Sequence, residues 1–485
     1  MNILLIVCDA LRGGLGKRAG GPDVCPTLDR MADCGASFNH AYCTIPLCVS
    51  SRISMLTGRW PDAHRVRMNL DARDAVFTQD IYQVAKARGY RTGLSGKNHT
   101  YLTASDTDFW REYGHEGAIG RRGSLEDQKF DRWIRTLDMG VAQKETPFPI
   151  ESQISHRIVS DAIDFLKQED GRPFFLQVSF PEPHGPSQLP KPYWNMFLPE
   201  TMHQPNPGPE AAQRMGYRMQ WLHRLEYDTA FYTDETWRRY ISNYFGAIRM
   251  VDDQIARLFD FLRGNNLNKN TLIVFLADHG DYMMEYGLGR KGVGVYDALT
   301  HIPMIWAGPG VRQMSTPVFV SMADVMPTFC EAIGADIPTG VQGRSLWKLL
   351  RGQSVPAETF RSVYTSTGFG GLYYDAADNV PLSIAEDIND PNRWDTLNKV
   401  TQSGNQKMVG MGDWKLTLDM MGYGQLFHMT TDPHEQVNLL GNTRYAKVQR
   451  ELMQELVRWM MRVEDTLTPD LQYPKHHTPR MTQTD

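Results

Sequence analysis

Short apolar runs that stop abruptly on polar loops recur along the chain. Residues 2–7 (NILLIV) run into Cys8-Asp9, residues 174–180 (FFLQVSF) into Pro181-Glu182-Pro183-His184, and residues 271–277 (TLIVFLA) into Asp278-His279-Gly280-Asp281. A run apolar at every position predicts a strand covered on both faces, in the middle of a parallel sheet. Residues 90–95, 303–307 and 318–320 predict shorter strands. Between them, apolar residues recur at helical spacing over 27–34 (with Gly35 as the expected C-cap), 54–56, 80–88 and 242–262.

Strand, polar loop and helix alternate through residues 1–345, which predicts an α/β fold: a large, mostly parallel central sheet flanked by helices. Beyond about Gly352 the texture changes. Residues 407–419 and 424–428, punctuated by glycines, predict a short antiparallel sheet, and residues 447–463 a helix. The expected division is a catalytic unit over 1–352, a smaller α+β C-terminal subdomain over 353–465, and a surface tail over 466–485.

Composition narrows the function classes. With 485 residues, 41% of them hydrophobic, the chain can build a large core. A formal net charge of -5 argues against nucleic acid or an anionic membrane as partner, so any anion must be held by local cations. The six cysteines include no CxxC pair and form no disulfide framework. The N-terminal apolar run is broken by Asp9, too short to span a membrane, and has no basic segment before it. The expectation is a cytoplasmic protein, or a periplasmic one if a leader was removed ahead of this numbering.

In such sheets, ligands bind beyond the carboxyl ends of the strands. Asp9, Lys97, His99, His184, Asp278 and His279 all follow predicted strand ends. Asp9, Asp278 and His279 offer two carboxylates and an imidazole, a donor set for a divalent metal, although Asp9 alone could equally be a helix N-cap. Arg52, Lys97, His99, His184 and Lys291 are singly compatible with solvated side chains. Jointly they describe a site for a compact oxyanion, where cations neutralise developing charge and a histidine protonates a departing alcohol. Sulfate and phosphate esters both fit. Cys48, four residues before Arg52 in LCVSSRISMLTGR, could be a thiolate nucleophile, a metal ligand or core filling.

Eight segments in order carry a family likeness: NILLIVCDALR, PTLDRMADCGASFNHAY, CVSSRISMLTGR, GYRTGLSGKNH, PEPHGP, LADHGDYMMEYGLGRKG, HIPMIWAGPG, and DVMPTFCEAIG with GRSLWKLLRG. The chain resembles the sulfatases, the formylglycine-dependent hydrolases of the alkaline phosphatase superfamily. GQLFHMTTDPHEQVNL resembles that family's C-terminal subdomain. The resemblance implies that a maturation enzyme converts Cys48 to formylglycine, whose hydrate attacks sulfur and then expels sulfate by re-forming the aldehyde. It further implies that Asp9, Cys48, Asp278 and His279 bind the metal, and that Arg52 keeps the nucleophile's surroundings positive. Lys97 and Lys291 would contact the sulfate oxygens, His99 assist the second step, and His184 protonate the leaving oxygen. Asn69 would lie near the substrate.

Two departures stand out. Ser50 occupies the position two after the cysteine where the family usually has Pro or Ala, and Asp9 is followed by Ala10 rather than a second aspartate. With His279 beside Asp278, the pattern resembles the choline sulfatase and phosphonate monoester hydrolase branches, and the metal could be calcium or manganese. The expected substrate is a sulfated carbohydrate or other small organic sulfate. The alternatives are phosphonate monoester or phosphodiester hydrolysis at the same site, or a non-catalytic binding relative. Trp110, Trp133, Tyr193, Trp194, Tyr217 and Trp221 fall in the expected insertions 101–150 and 187–240. Such rings could line a site mouth, fill the core, or form the interface of a homo-oligomer.

Overall fold

A computed structural model describes the chain except for residues 70–71, 121–122, 217, 221, 224–232, 293, 370–403 and 465–485. The strand Asn2–Asp9 (β1) is buried along its whole length and occupies the middle of the large sheet. The other strands are Ala36–Tyr42 (β2), Arg91–Gly96 (β3), Phe109–Gly114 (β4), Gly117–Ala118 (β5), Phe174–Pro183 (β6), Thr271–Ala277 (β7), Met304–Ala307 (β8) and Met314–Ser321 (β9). Their order is β5-β4-β3-β6-β1-β7-β8-β2-β9. The run β4-β3-β6-β1-β7 is parallel throughout, and antiparallel pairing is confined to β4-β5, β7-β8 and β8-β2. This is the mostly parallel sheet that the apolar runs predict.

Parallel pairing puts the carboxyl ends of β4, β3, β6, β1 and β7 on one rim. Helices Ile154–Lys167 and Asp234–Gly264 pack on each other and on β6, while Cys48–Thr57, Ile81–Ala87 and Val325–Ala332 form a second packed group. A separate antiparallel sheet of four strands runs Ser362–Thr367 (β10), Gln406–Met411 (β11), Trp414–Asp419 (β12) and Gly424–His428 (β13). Helix Ala446–Val463 packs against it through Leu452, Leu456 and Trp459. Lys415 ties this sheet to the larger body, its ammonium lying between Asp297 (2.7 Å) and Glu435 (2.8 Å).

One expectation, the helix at 54–56, needs extending, and one, the cap at Gly35, is met in another conformation. Gly35 is the C-cap of its helix as expected, but in an extended (φ -118°) and not a left-handed conformation. A Cβ there would stand 2.2 Å from the Trp306 carbonyl oxygen, so β8 dictates the glycine. The helix expected at 54–56 spans Cys48–Thr57 and begins on the cysteine itself. Tyr193 and Trp194 are buried in an apolar cluster with Leu189 and Met250, and Trp110 and Trp133 pack against the main core. Tyr217, Trp221 and the tail 466–485 lie outside the described residues.

Candidate active site

The rim gathers residues separated by more than two hundred positions. Asp9 ends β1 where its register with β6 shifts, a bulge that re-aims the side chain. Ala10, in a left-handed conformation (φ 59°), donates its N–H to Asp278 Oδ1 at 3.1 Å and locks the ends of β1 and β7 together. Gly96 precedes Lys97 at φ 120°, where a Cβ would meet the Ser179 carbonyl oxygen at 1.9 Å. Only glycine lets β3 approach β6 there and deliver Lys97. Lys291 arrives on the loop after β7, which is closed by Tyr282 N–H donating to the Arg290 carbonyl at 2.8 Å.

Cys48 opens its helix, and all ten residues of that helix are buried. No side chain of the preceding residue caps it; instead Asn69 Oδ1 accepts the Val49 N–H at 3.2 Å. Asn69 therefore sits beside Cys48 as a partner of the helix terminus, whose partial positive charge favours an anion at this position. The Cys48 thiol lies 3.2 Å from His279 Nε2, 3.6 Å from Asp9 Oδ1 and 3.1 Å from Lys291 Nζ. Arg52, one turn further on, is fully buried. Its Nε donates to Asp278 Oδ2 at 2.8 Å and its Nη1 to Ser179 Oγ at 2.7 Å.

One donor atom from each of Asp9, Cys48, Asp278 and His279 falls within 4.8 Å of the others. His279 Nδ1 donates to the Gly280 carbonyl at 2.8 Å, which leaves the Nε2 lone pair facing the carboxylates. Two carboxylates and an oriented imidazole fit a divalent cation. Burial alone would raise the Asp278 carboxyl, but Arg52, His279 and Lys97 outweigh it and hold the group well below the ordinary carboxylate range. Burial pushes His279 down to about 4, against the pull of Asp278, so the ring is neutral and able to ligate.

The other side of Cys48 is cationic. Lys97 Nζ pairs with Asp9 Oδ2 and lies 2.8 Å from His115 Nε2. Lys291 Nζ lies 3.5 Å from His184 Nε2, while His184 Nδ1 donates to the Gly185 carbonyl at 3.0 Å. Burial lowers the pKa of His184 well below the usual imidazole range, and Lys291 and Lys97 lower it further. His99 and His115 are depressed in the same way, by burial and then by Lys97. His99, also left-handed (φ 44°), stands one ring back, its centroid 5.6 Å from that of His115.

Every candidate named from the sequence thus lies in or beside this pocket. His115 belongs to it as well and was not foreseen. It occupies the two-residue turn between β4 and β5, on the same rim as Lys97 because β4 is parallel to β3. The signal was present in DFWREYGHEG, a short strand followed by a tight turn, within a stretch read as insertion.

The family model described as Sulfatase matches residues 1–335. An arylsulfatase of Clostridium perfringens is 26% identical, over 92% of this chain and 91% of its own. A delta 4,5-hexuronate-2-O-sulfatase of Bacteroides thetaiotaomicron is 24% identical, over 96% and 89%. In fold, the chain is similar to the phosphonate monoester hydrolase of Agrobacterium radiobacter, with a TM-score of 0.77 at 20% identity, over 95% and 96% of the two chains. With the match covering most of its length, the chain belongs to the sulfatase family and is a sulfuric ester hydrolase.

Proposed function

We propose that the protein hydrolyses the sulfate ester of a carbohydrate at a formylglycine made from Cys48, beside a divalent metal held by Asp9, Asp278, His279 and the position 48 side chain. The observation that carries this reading is the meeting of the Cys48 thiol with His279, Asp9 and Lys291, all within 3.6 Å, at the start of a buried helix. The hexuronate sulfatase among the relatives supports a sugar as the alcohol. Formylglycine as its hydrate supplies an oxygen nucleophile, and a divalent metal supplies charge to stabilise that oxygen and the ester oxygens.

The chain's own residues do the rest. Lys97 and Lys291 bind the sulfate oxygens, and Arg52 fixes the Asp278 carboxylate from behind. His184 is kept neutral in the free enzyme by burial and Lys291. The sulfate's negative charge offsets that repulsion, so His184 takes up a proton at Nε2 and passes it to the departing alcohol oxygen. His99, one ring away, serves as the base for the second step. Cys48 is fully buried, so a maturation enzyme has to reach it before the fold closes.

Mass spectrometry of the peptide carrying position 48, metal analysis, and turnover of a panel of monosaccharide sulfates test the reading together. The expected result is an aldehyde at position 48, about one metal per chain, and a Cys48→Ala variant that folds normally but loses about ten-thousand-fold or more in turnover. An unmodified thiol in a fully active enzyme would overturn the formylglycine assignment. Turnover confined to aryl sulfates would overturn the carbohydrate assignment.

A further inference from the structure

His115 has no task in the reaction just described, yet it touches both cationic arms of the pocket. A lysine ammonium has three N–H bonds and no lone pair. Asp9 takes one of those of Lys97, and His115 Nε2 lies 2.8 Å from the same nitrogen. Two donors cannot face each other at that distance, so Nε2 presents its lone pair and the ring proton sits on Nδ1. The same ring lies against His184, with centroids 4.1 Å apart and planes 33° apart. His184 in turn stands beside Lys291. A chain of contacts therefore encloses Cys48, running Asp9, Lys97, His115, His184, Lys291, and His115 is its middle member.

The turn that carries His115 is itself anchored. Asp131 Oδ2 accepts the Ala118 N–H at 3.3 Å, and Arg157 holds Asp131 Oδ1 at 2.6 Å. Gly117 (φ 114°) brings the backbone so close to the Asp131 carboxylate that a Cβ would stand 2.2 Å from it. The imidazole is thus presented by a braced hairpin and not by a free loop.

We infer that His115 is a positioning residue: its Nε2 lone pair accepts from the Lys97 ammonium alongside Asp9 and so fixes where that ammonium stands against the ester oxyanion, while its ring braces His184. The inference rests on the proposed contact of Lys97 with the sulfate oxygens. Lys97 has a long, flexible stem, and Asp9 alone would tether its ammonium without fixing the side from which it faces the ester.

The test compares wild type, H115F and H115Q, each as the full chain with its position 48 aldehyde and metal content measured. Phenylalanine keeps a ring against His184 but has no lone pair. Glutamine places an amide oxygen where Nε2 stood. On 4-nitrophenyl sulfate, H115F is expected to lose about 10- to 100-fold in kcat/KM, the worth of one hydrogen bond to a charged group. H115Q is expected to recover most of that loss. Inhibition by inorganic sulfate should weaken in H115F and return in H115Q, a readout that a merely structural role would not order in this way. If H115F does not fold, H115N, whose amide is too short to reach Lys97, takes its place with the same expectation. Equal losses in the Phe and Gln variants, or none in either, overturn the inference. A wild type inert toward the sulfate ester overturns the sulfate reading alone, and the same order of variants on 4-nitrophenyl phenylphosphonate then upholds the role of His115. A wild type inert toward both esters overturns both.

Discussion

The two sides of Cys48 are built differently. Asp278 accepts the Ala10 N–H at 3.1 Å, the His279 N–H at 2.9 Å and Arg52 Nε at 2.8 Å, and His279 is oriented by the Gly280 carbonyl at 2.8 Å. This side is held by backbone groups at the ends of central strands, with Arg52 paired to Asp278. On the other side, Lys97 reaches across to Asp9 and Lys291 to Cys48, and the two lysines are joined to each other through His115 and His184. The Nδ1 atoms of His99 and His115 are buried with no hydrogen-bond partner. Counting Arg52, Lys97 and Lys291 against Asp9 and Asp278 leaves one positive charge when the histidines are neutral. The carboxylate side is complete as folded, apart from a cation. The cationic side is completed by an anion.

Substitutions on the two sides should therefore fail in different ways. Asp278→Asn leaves Arg52 buried opposite a neutral amide, and breaking a buried pair costs about 3–5 kcal/mol. Urea denaturation should show that loss, and metal analysis should show an empty protein with turnover down by about three orders of magnitude or more. Lys291→Met removes a cation from a site with positive charge in excess. Its unfolding midpoint should stay near that of wild type, while kcat/KM falls about 100-fold for want of a charge on the oxyanion. A Lys291→Met protein as unstable as Asp278→Asn would break the comparison, since both sides would then be scaffold.

His184→Ala sharpens the same contrast. An aryl ester with a good leaving group needs little protonation, so its turnover should fall about tenfold or less, against about 100-fold or more for an alkyl or sugar sulfate. Lys291 is also a cause of the low pKa of His184, second to burial. Activity that needs protonated His184 is lost as pH rises through that group's pKa. Removing the like charge raises the pKa, so the basic limb of the rate profile should move to higher pH in Lys291→Met. A uniform loss across leaving groups in His184→Ala would take that ring out of proton transfer.

How much of this was legible before any coordinates follows from the same division. Asp9, Asp278 and His279 stand directly after runs apolar at nearly every position, so the end of the pattern marks the rim. Lys291 rides a loop with left-handed Met283 (φ 49°), Met284 (φ 72°) and Arg290 (φ 61°), which no local propensity would predict. On its charge it counts among the cations of an oxyanion site, and the family likeness gives it a role there. The first half of the Cys48 helix was missed because Ser50, Ser51 and Arg52 break the apolar spacing that marks a buried helix. All three are buried, and tertiary partners make that tolerable for two of them: Ser51 bonds the Asp278 carbonyl, and Arg52 bonds Asp278 and Ser179, while the Ser50 hydroxyl has no hydrogen-bond partner among the described residues. His115 was missed because β4 is short and largely half-buried, and announces no apolar run.

The smallest effect lies behind the site. His64 is fully buried, accepts the Val66 N–H on Nδ1 at 3.2 Å, and so carries its proton on Nε2, 3.0 Å from Ser54 Oγ. Ser54 sits on the back of the Cys48 helix, where its hydroxyl also accepts from Thr44 at 2.7 Å and donates to the Ser50 carbonyl at 3.2 Å. A second proton on His64 would have no acceptor. Burial, and then Arg59, push its pKa from 6.5 down to about 3. The folded chain refuses a proton that the unfolded chain takes up, so this residue makes stability fall as pH drops below 6.5, at about 1.4 kcal/mol per unit, and contributes no slope above it. Between pH 7 and pH 5 that amounts to about 2 kcal/mol. His64→Gln, less stable at pH 7 through its imperfect contacts, should lose that much less on acidification, read as converging urea midpoints. Parallel midpoints would mean that His64 protonates within the fold, and that the helix under Cys48 has room for the charge.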